Sequence, residues 1–116
     1  MLEKIRIGID LVKIDKFKKI PYSNNKTFYK KLFSNLEIDY CSKFSNPYEH
    51  FSGKFAIKEA VKKSIKENIS MKEIITEHVD SKPSVKILSN SNYFFKVSLS
   101  HEDDIAVAVV ISEEIL

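Results

Sequence analysis

The chain has 116 residues, 43% hydrophobic and 30% charged, with a formal net charge of +3. That length suits one domain, 1–116, able to bury a core without staples, and so small a charge does not by itself imply nucleic acid. The single cysteine, Cys41, excludes an internal disulfide framework, and the absence of a signal-type leader or a bilayer-length apolar run sets the expectation of a cytoplasmic protein away from membranes.

In chain order, residues 4–14 alternate as a strand with one buried face. Ile5, Ile7, Ile9 and Leu11 point one way; Arg6, Gly8, Asp10 and Val12 point the other. Gly8 clears space beside Asp10. From Asp15 to Phe33 the pattern is helical but broken by Pro21 and Ser23-Asn24-Asn25. Ser34 and Glu37 have capping-box spacing, which predicts a helix over about 35–44. Pro47 suits the first turn of a longer helix running to about Asn68. Residues 73–79 and 84–88 read as short strands around a turn at Ser81-Lys82-Pro83. Phe95, Val97 and Leu99, then Ile105, Val107, Val109 and Ile111, alternate as an antiparallel hairpin around His101-Glu102-Asp103-Asp104. The sum is an α+β fold with an antiparallel sheet packed on one long helix plus shorter helices. The final strands lack charge at their centres, so both faces are expected to be covered, which hints at oligomerisation.

The long helix carries the most informative segment. Ser52, Ala56, Glu59 and Lys63 fall on neighbouring positions of one face, bordered by Gly53 and Ala60. Small residues there leave room beside Glu59 for another backbone, a ligand or an ion. Three polar islands emerge: Asp10, Glu59 with Lys58 and Lys63, and Ser98-Leu99-Ser100-His101. Two carboxylates on separate elements can hold one Mg²⁺, with lysines neutralising a bound phosphate and a histidine orienting a ligand or moving a proton. Plainer readings exist for each: a surface Asp10, a Glu59–Lys63 helix ion pair worth about 0.3–0.5 kcal/mol, and a solvated hairpin histidine. The sequence has no Gly-rich phosphate loop, zinc-type Cys/His set or nucleophile elbow. Cys41 is read as a core residue.

Lysines crowd the N-terminal third, at Lys13, Lys16, Lys18, Lys19, Lys26, Lys30 and Lys31. Such a surface suits an acidic protein, a phosphate-rich ligand or RNA, or is simply solvated. A non-enzymatic basic module binding RNA or an acidic protein is therefore the alternative to an enzyme. Tyr22, Phe28 and Tyr29 give it little aromatic support.

Gly8-Ile9-Asp10-Leu11-Val12, then Phe55-Ala56-Ile57-Lys58-Glu59-Ala60, then Val97-Ser98-Leu99-Ser100-His101 resemble, in order and over nearly the whole chain, the holo-acyl-carrier-protein synthase family. The Phe-Ala-x-Lys-Glu-Ala segment is the specific part. The resemblance implies a phosphopantetheinyl transferase of fatty acid biosynthesis. Such an enzyme moves 4′-phosphopantetheine from coenzyme A to a serine of apo-acyl carrier protein and releases adenosine 3′,5′-bisphosphate. It implies that Asp10 and Glu59 associate with Mg²⁺ and that Lys63 stabilises the pyrophosphate or leaving group. The resemblance implies that the serine is deprotonated by a carboxylate or by a metal-bound water, and leaves both open. It further implies that Lys54, Ser98, Ser100 and His101 bind coenzyme A. Lys13, Lys16, Lys19 and Lys31 would dock the acidic carrier protein, and the enzyme would be a homotrimer with sites at subunit interfaces. The chain departs from the family in four places. Lys16 and Lys54 stand where arginine is usual, which keeps charge but loses bidentate pairing. Lys66-Glu67-Asn68-Ile69-Ser70 replaces a Gly-rich turn, and Ser81-Lys82 replaces a glycine turn. With two glycines in all, asparagine is expected at the left-handed turn positions.

Overall fold

A computed structural model describes residues 2–90 and 92–115. Strand β1 (Ile5–Lys13) leads into three short helices, α1 (Asp15–Lys18), α2 (Lys26–Leu32) and α3 (Asn35–Ser42). The long helix α4 (Pro47–Ser64) follows, then β2 (Ile74–Val79), β3 (Lys82–Ile87), β4 (Tyr93–Glu102) and β5 (Ile105–Glu114). Every strand pair is antiparallel, but there are two sheets where one was expected: β1-β5-β4 and the hairpin β2-β3.

Local chemistry explains most boundaries. Ser34 Oγ accepts from the Glu37 N–H and Glu37 Oε1 accepts from the Ser34 N–H, so the capping box opens α3. Pro47 opens α4, as its fixed φ and missing donor favour. Helix α4 stops four residues short of the expected Asn68 because the sheet takes the groups another turn needs. The Lys66 N–H donates to the Tyr93 hydroxyl, and the Ser64 carbonyl accepts from the Ser112 hydroxyl. Among the described residues, the left-handed turn positions are not asparagines. They are Asp80 (φ 51°) and Ser81 (φ 66°) between β2 and β3, and Asp103 (φ 51°) between β4 and β5. Segment 65–70 contains no positive-φ residue, so it needs no glycine to make its turn.

The buried face of β1 is its less apolar one. Gly8 and Val12 pack inward, while Ile7, Ile9 and Leu11 remain 65%, 51% and 62% exposed. The cause is the small surface of α4. Ser52, Ala56 and Ala60 are fully buried, and a Cβ added at Gly8 would run into the Ala60 carbonyl oxygen. The room beside Glu59 is thus largely filled by the chain's own sheet. Phe51 of α4 joins Phe17, Tyr29 and Phe33 in an aromatic core, with Tyr29 and Phe51 centroids 4.8 Å apart in an edge-to-face contact.

Candidate active site

The close approach of β1 to α4 sets the geometry of the site. Asp10 leaves β1 on the helix side, two residues from Gly8, and Glu59 leaves α4 one residue before Ala60. Both carboxylates line one surface cleft of about 470 Å³, with Leu11, Val12, Lys13, Lys16 and Phe55. The Lys63 ammonium crosses from α4 to β1, donating to the Ile9 carbonyl at 2.9 Å and to Asp10 Oδ1 at 3.2 Å. The simple helix pair Glu59–Lys63 is not formed; Lys63 takes Asp10 instead.

Two lysines, Lys13 and Lys16, line the cleft. Lys16 lies over the Phe55 ring at 4.7 Å, so its charge is held beside the cleft. Lys13 is exposed next to it, Lys19 pairs with Asp15 at 3.1 Å, and Lys31 is exposed on α2. Helix α1 is a single turn, fixed by the β4–β5 hairpin: Asp104 accepts from Ile14 N through its carbonyl (2.8 Å) and from Asp15 N through Oδ1 (3.2 Å). The acidic turn thus orients the basic segment that borders the cleft.

The remaining expected ligand-binding residues lie elsewhere. Lys54 is buried on the α3 and β2 side, its ammonium bonded to Thr76 Oγ1 (2.9 Å) and the Thr76 carbonyl (3.3 Å). Burial pushes its pKa down. Its ammonium is taken up by acceptors on β2 that the sequence did not reveal, and Lys54 is not among the residues lining the Asp10–Glu59 cleft. A larger cleft of about 500 Å³ lies beside Lys54, lined also by Tyr40, Thr76 and His78, but its carboxylates Glu37, Asp39 and Glu77 include neither Asp10 nor Glu59. Ser98 and Ser100 are exposed on the sheet face away from α4, because Val97 and Leu99 take the inward positions of β4. His101 is on the helix side with Nε2 3.2 Å from the Glu49 carbonyl oxygen. It aligns with Ala106 and Val12 across the sheet, so two strand spacings, roughly 10 Å, separate it from β1. One chain therefore unites Asp10, Glu59, Lys63, Lys13 and Lys16, but not Ser98, Ser100 or His101 with them.

A buried ionic network escaped the sequence reading. Lys58 donates to Glu37 Oε1 (2.7 Å), the Leu32 carbonyl (2.8 Å) and the Met71 carbonyl (3.1 Å). Glu37 Oε2 accepts from Thr76 N (2.8 Å) and Thr76 Oγ1 (2.6 Å). Burial would raise the Glu37 pKa, but Lys58 and the donated hydrogen bonds outweigh it and hold the carboxyl below its ordinary value. Glu37 signalled only a helix cap, and nothing local in sequence ties it to Lys58. Cys41 is buried, which pushes its thiol up to about 12 and leaves it a core group. Among the described residues no cluster of three or more His, Cys, Asp or Glu forms a metal centre, and no helix is long and apolar enough to cross a membrane.

A profile described as the 4′-phosphopantetheinyl transferase superfamily matches residues 6–110. The chain is 36% identical over 108 residues to a holo-[acyl-carrier-protein] synthase of Thermodesulfovibrio yellowstonii, covering 90% of this chain and 95% of that one. It is 34% identical over 116 residues to the Chlamydia trachomatis protein of the same name, covering 92% and 98%. Its structure is similar to that of a holo-(acyl-carrier-protein) synthase from Bacillus anthracis in complex with CoA (3′,5′-ADP), with a TM-score of 0.79, 26% identity and coverage of 94% and 96%. A Helicobacter pylori synthase in complex with coenzyme A is similar too, with a TM-score of 0.78, 26% identity and coverage of 92% and 99%.

Proposed function

The chain belongs to the holo-[acyl-carrier-protein] synthase family of the 4′-phosphopantetheinyl transferase superfamily, and we propose that its 116 residues form one transferase domain moving 4′-phosphopantetheine from coenzyme A to a serine of apo-acyl carrier protein. The serine oxygen forms a bond to the phosphorus that carries pantetheine. The pyrophosphate P–O bond breaks, and adenosine 3′,5′-bisphosphate leaves with the bonding electrons. Family membership sets aside the alternative of a non-enzymatic basic module.

The observation that carries the reading is the pairing of Asp10 and Glu59 in one lysine-bordered cleft. Two carboxylates from separate elements, opening to solvent, suit a hard divalent ion that keeps waters and takes phosphate oxygens. Asp10 and Glu59 are the residues that would hold Mg²⁺, which when bound supplies charge neutralisation on the pyrophosphate. The protein's own part is positioning and electrostatics. Glu59 or Asp10 accepts the serine proton, and Lys63 neutralises charge developing on the leaving phosphate. Lys13, Lys16, Lys19 and Lys31 steer an acidic carrier protein toward the cleft, which raises encounter rate more than affinity.

The apolar outer face of β1, β5 and β4 supports a homotrimer. In that assembly His101, Ser98 and Ser100 are proposed to reach coenzyme A held at a neighbouring subunit's cleft. A cytoplasmic place in fatty acid biosynthesis is part of the same reading.

The test uses Asp10→Ala and Glu59→Ala with coenzyme A, Mg²⁺ and apo-carrier protein, weighing the carrier by mass spectrometry. Each variant should slow modification by about 100-fold or more while keeping the wild-type circular dichroism spectrum. Full modification by both variants sinks the assignment of the two carboxylates.

A further inference from the structure

We propose that Lys63 holds the place of a divalent cation at Asp10 until coenzyme A arrives, so that the metal binds well only together with the pyrophosphate. This inference rests on the reading of Asp10 and Glu59 as the Mg²⁺ ligands.

The geometry carries it. Lys63 has a carboxylate one turn back on its own helix, Glu59, yet its ammonium lies 3.2 Å from Asp10 Oδ1 and 2.9 Å from the Ile9 carbonyl oxygen. Both acceptors are on β1, within reach because Gly8 lets the strand close on α4: a Cβ there would sit 3.2 Å from Lys63 Cβ. The partners are unequal. The Lys63 side chain is 54% exposed and that of Asp10 only 16%. An exposed lysine leaves such a pair cheaply, since its freed ammonium is resolvated by water. An ammonium has a third N–H, available to a phosphate oxygen.

Two consequences of opposite sign follow. A divalent ion arriving alone meets a positive charge already bonded to one of its ligands, so it binds poorly. A pyrophosphate offers Lys63 a charge-assisted partner of its own, which draws the ammonium off Asp10 and clears that carboxylate. Lys63 thereby couples metal and coenzyme A positively, and the coupling is reciprocal.

The experiment titrates the folded protein with Mn²⁺, reading free metal by electron paramagnetic resonance, without and with coenzyme A; the Mn²⁺–coenzyme A complex is measured separately. Lys63→Met should bind Mn²⁺ alone about tenfold more tightly, the size expected when a unit charge a few ångströms from a divalent ion is removed in a water-like dielectric. In that variant coenzyme A should strengthen Mn²⁺ binding about tenfold less than in wild type. Lys63→Arg should keep the wild-type pattern. Lys13→Met, which removes a charge from the same cleft without touching Asp10, should change Mn²⁺ affinity by less than about threefold. The proposal is overturned if Lys63→Met leaves the affinity for Mn²⁺ alone unchanged or weaker, or if Lys13→Met raises it equally. Asp10→Asn separates the two levels: if it binds Mn²⁺ as wild type does, the metal reading fails and this inference with it. If it loses Mn²⁺ while Lys63→Met has no effect, only this inference fails.

Discussion

Gly8 controls more of the site than its size suggests. An added Cβ would meet the carbonyl of Ala60, which is helix backbone and cannot swing away. Gly8→Ala should therefore cost about 1–3 kcal/mol or more, as overpacking does. It should also push Asp10 away from Glu59 and Lys63. The expected outcome is a lower urea midpoint together with slowed transfer to the carrier protein. Gly53 is the control. Its added Cβ would lie 3.0 Å from Leu99 Cδ2 and 3.3 Å from His101 Nε2, both ends of flexible side chains. In mid-helix, alanine gains about 0.5–1 kcal/mol over glycine, so Gly53→Ala should be close to neutral. A wild-type midpoint for Gly8→Ala would refute this account of the contact. The sequence identified Gly8 as space-making but not what the space admits, because a missing side chain does not name its neighbour.

At the scale of elements, α4 is fixed on both sides. One side meets β1 and β5 through small residues; the other is tied to α3 and β2 through Lys58, Glu37 and Thr76. Lys58 and Glu37 have side chains 0% and 1% exposed, so losing either leaves an unpaired buried charge. Lys58→Met should cost about 3–5 kcal/mol in a denaturant titration. The pH response has a definite sign. The folded Glu37 carboxyl is held below its ordinary value of 4.5. It thus contributes stability above about that pH, lost as pH falls through the folded value. Wild type should weaken on acidification below pH 4.5, and Glu37→Gln, already weaker, should show a flatter acid limb. An unchanged acid limb in the variant would assign the loss to other groups. The starts of α3 and α4 were legible in sequence, since caps are local. The end of α4 was not, because Tyr93 and Ser112 act on it from strands far along the chain.

The whole molecule presents an apolar sheet face to solvent. In the register, Ile7, Ile111 and Lys96 form one outward row, and Ile9, Val109 and Ser98 form the next. Ile5, Ile7, Ile9, Leu11, Phe94 and Ile111 are all exposed large hydrophobics on this face. A contiguous patch of this kind marks an interface. Ile9→Lys should lower the native mass seen by light scattering to that of a monomer and, if neighbouring subunits complete each site, abolish transfer with it. A monomeric wild type with full activity would sink the trimer reading. The same patch explains why β1 alternates so clearly yet buries its less apolar side within the chain.

The sequence by itself determined the α+β class, the order of elements, the capped helices, the terminal hairpin and the family. Each of these is written in short-range periodicity, turn chemistry or a contiguous motif. It also named Asp10, Glu59 and Lys63. Only the tertiary structure decided which face of β1 turns inward, that Lys63 bonds to Asp10 rather than Glu59, and that Lys54 is consumed by Thr76. It alone separated Ser98, Ser100 and His101 from the cleft of their own chain. Those outcomes depend on which elements meet, and the decisive meeting, Gly8 against Ala60, joins residues far apart in sequence whose side chains are too small to announce it.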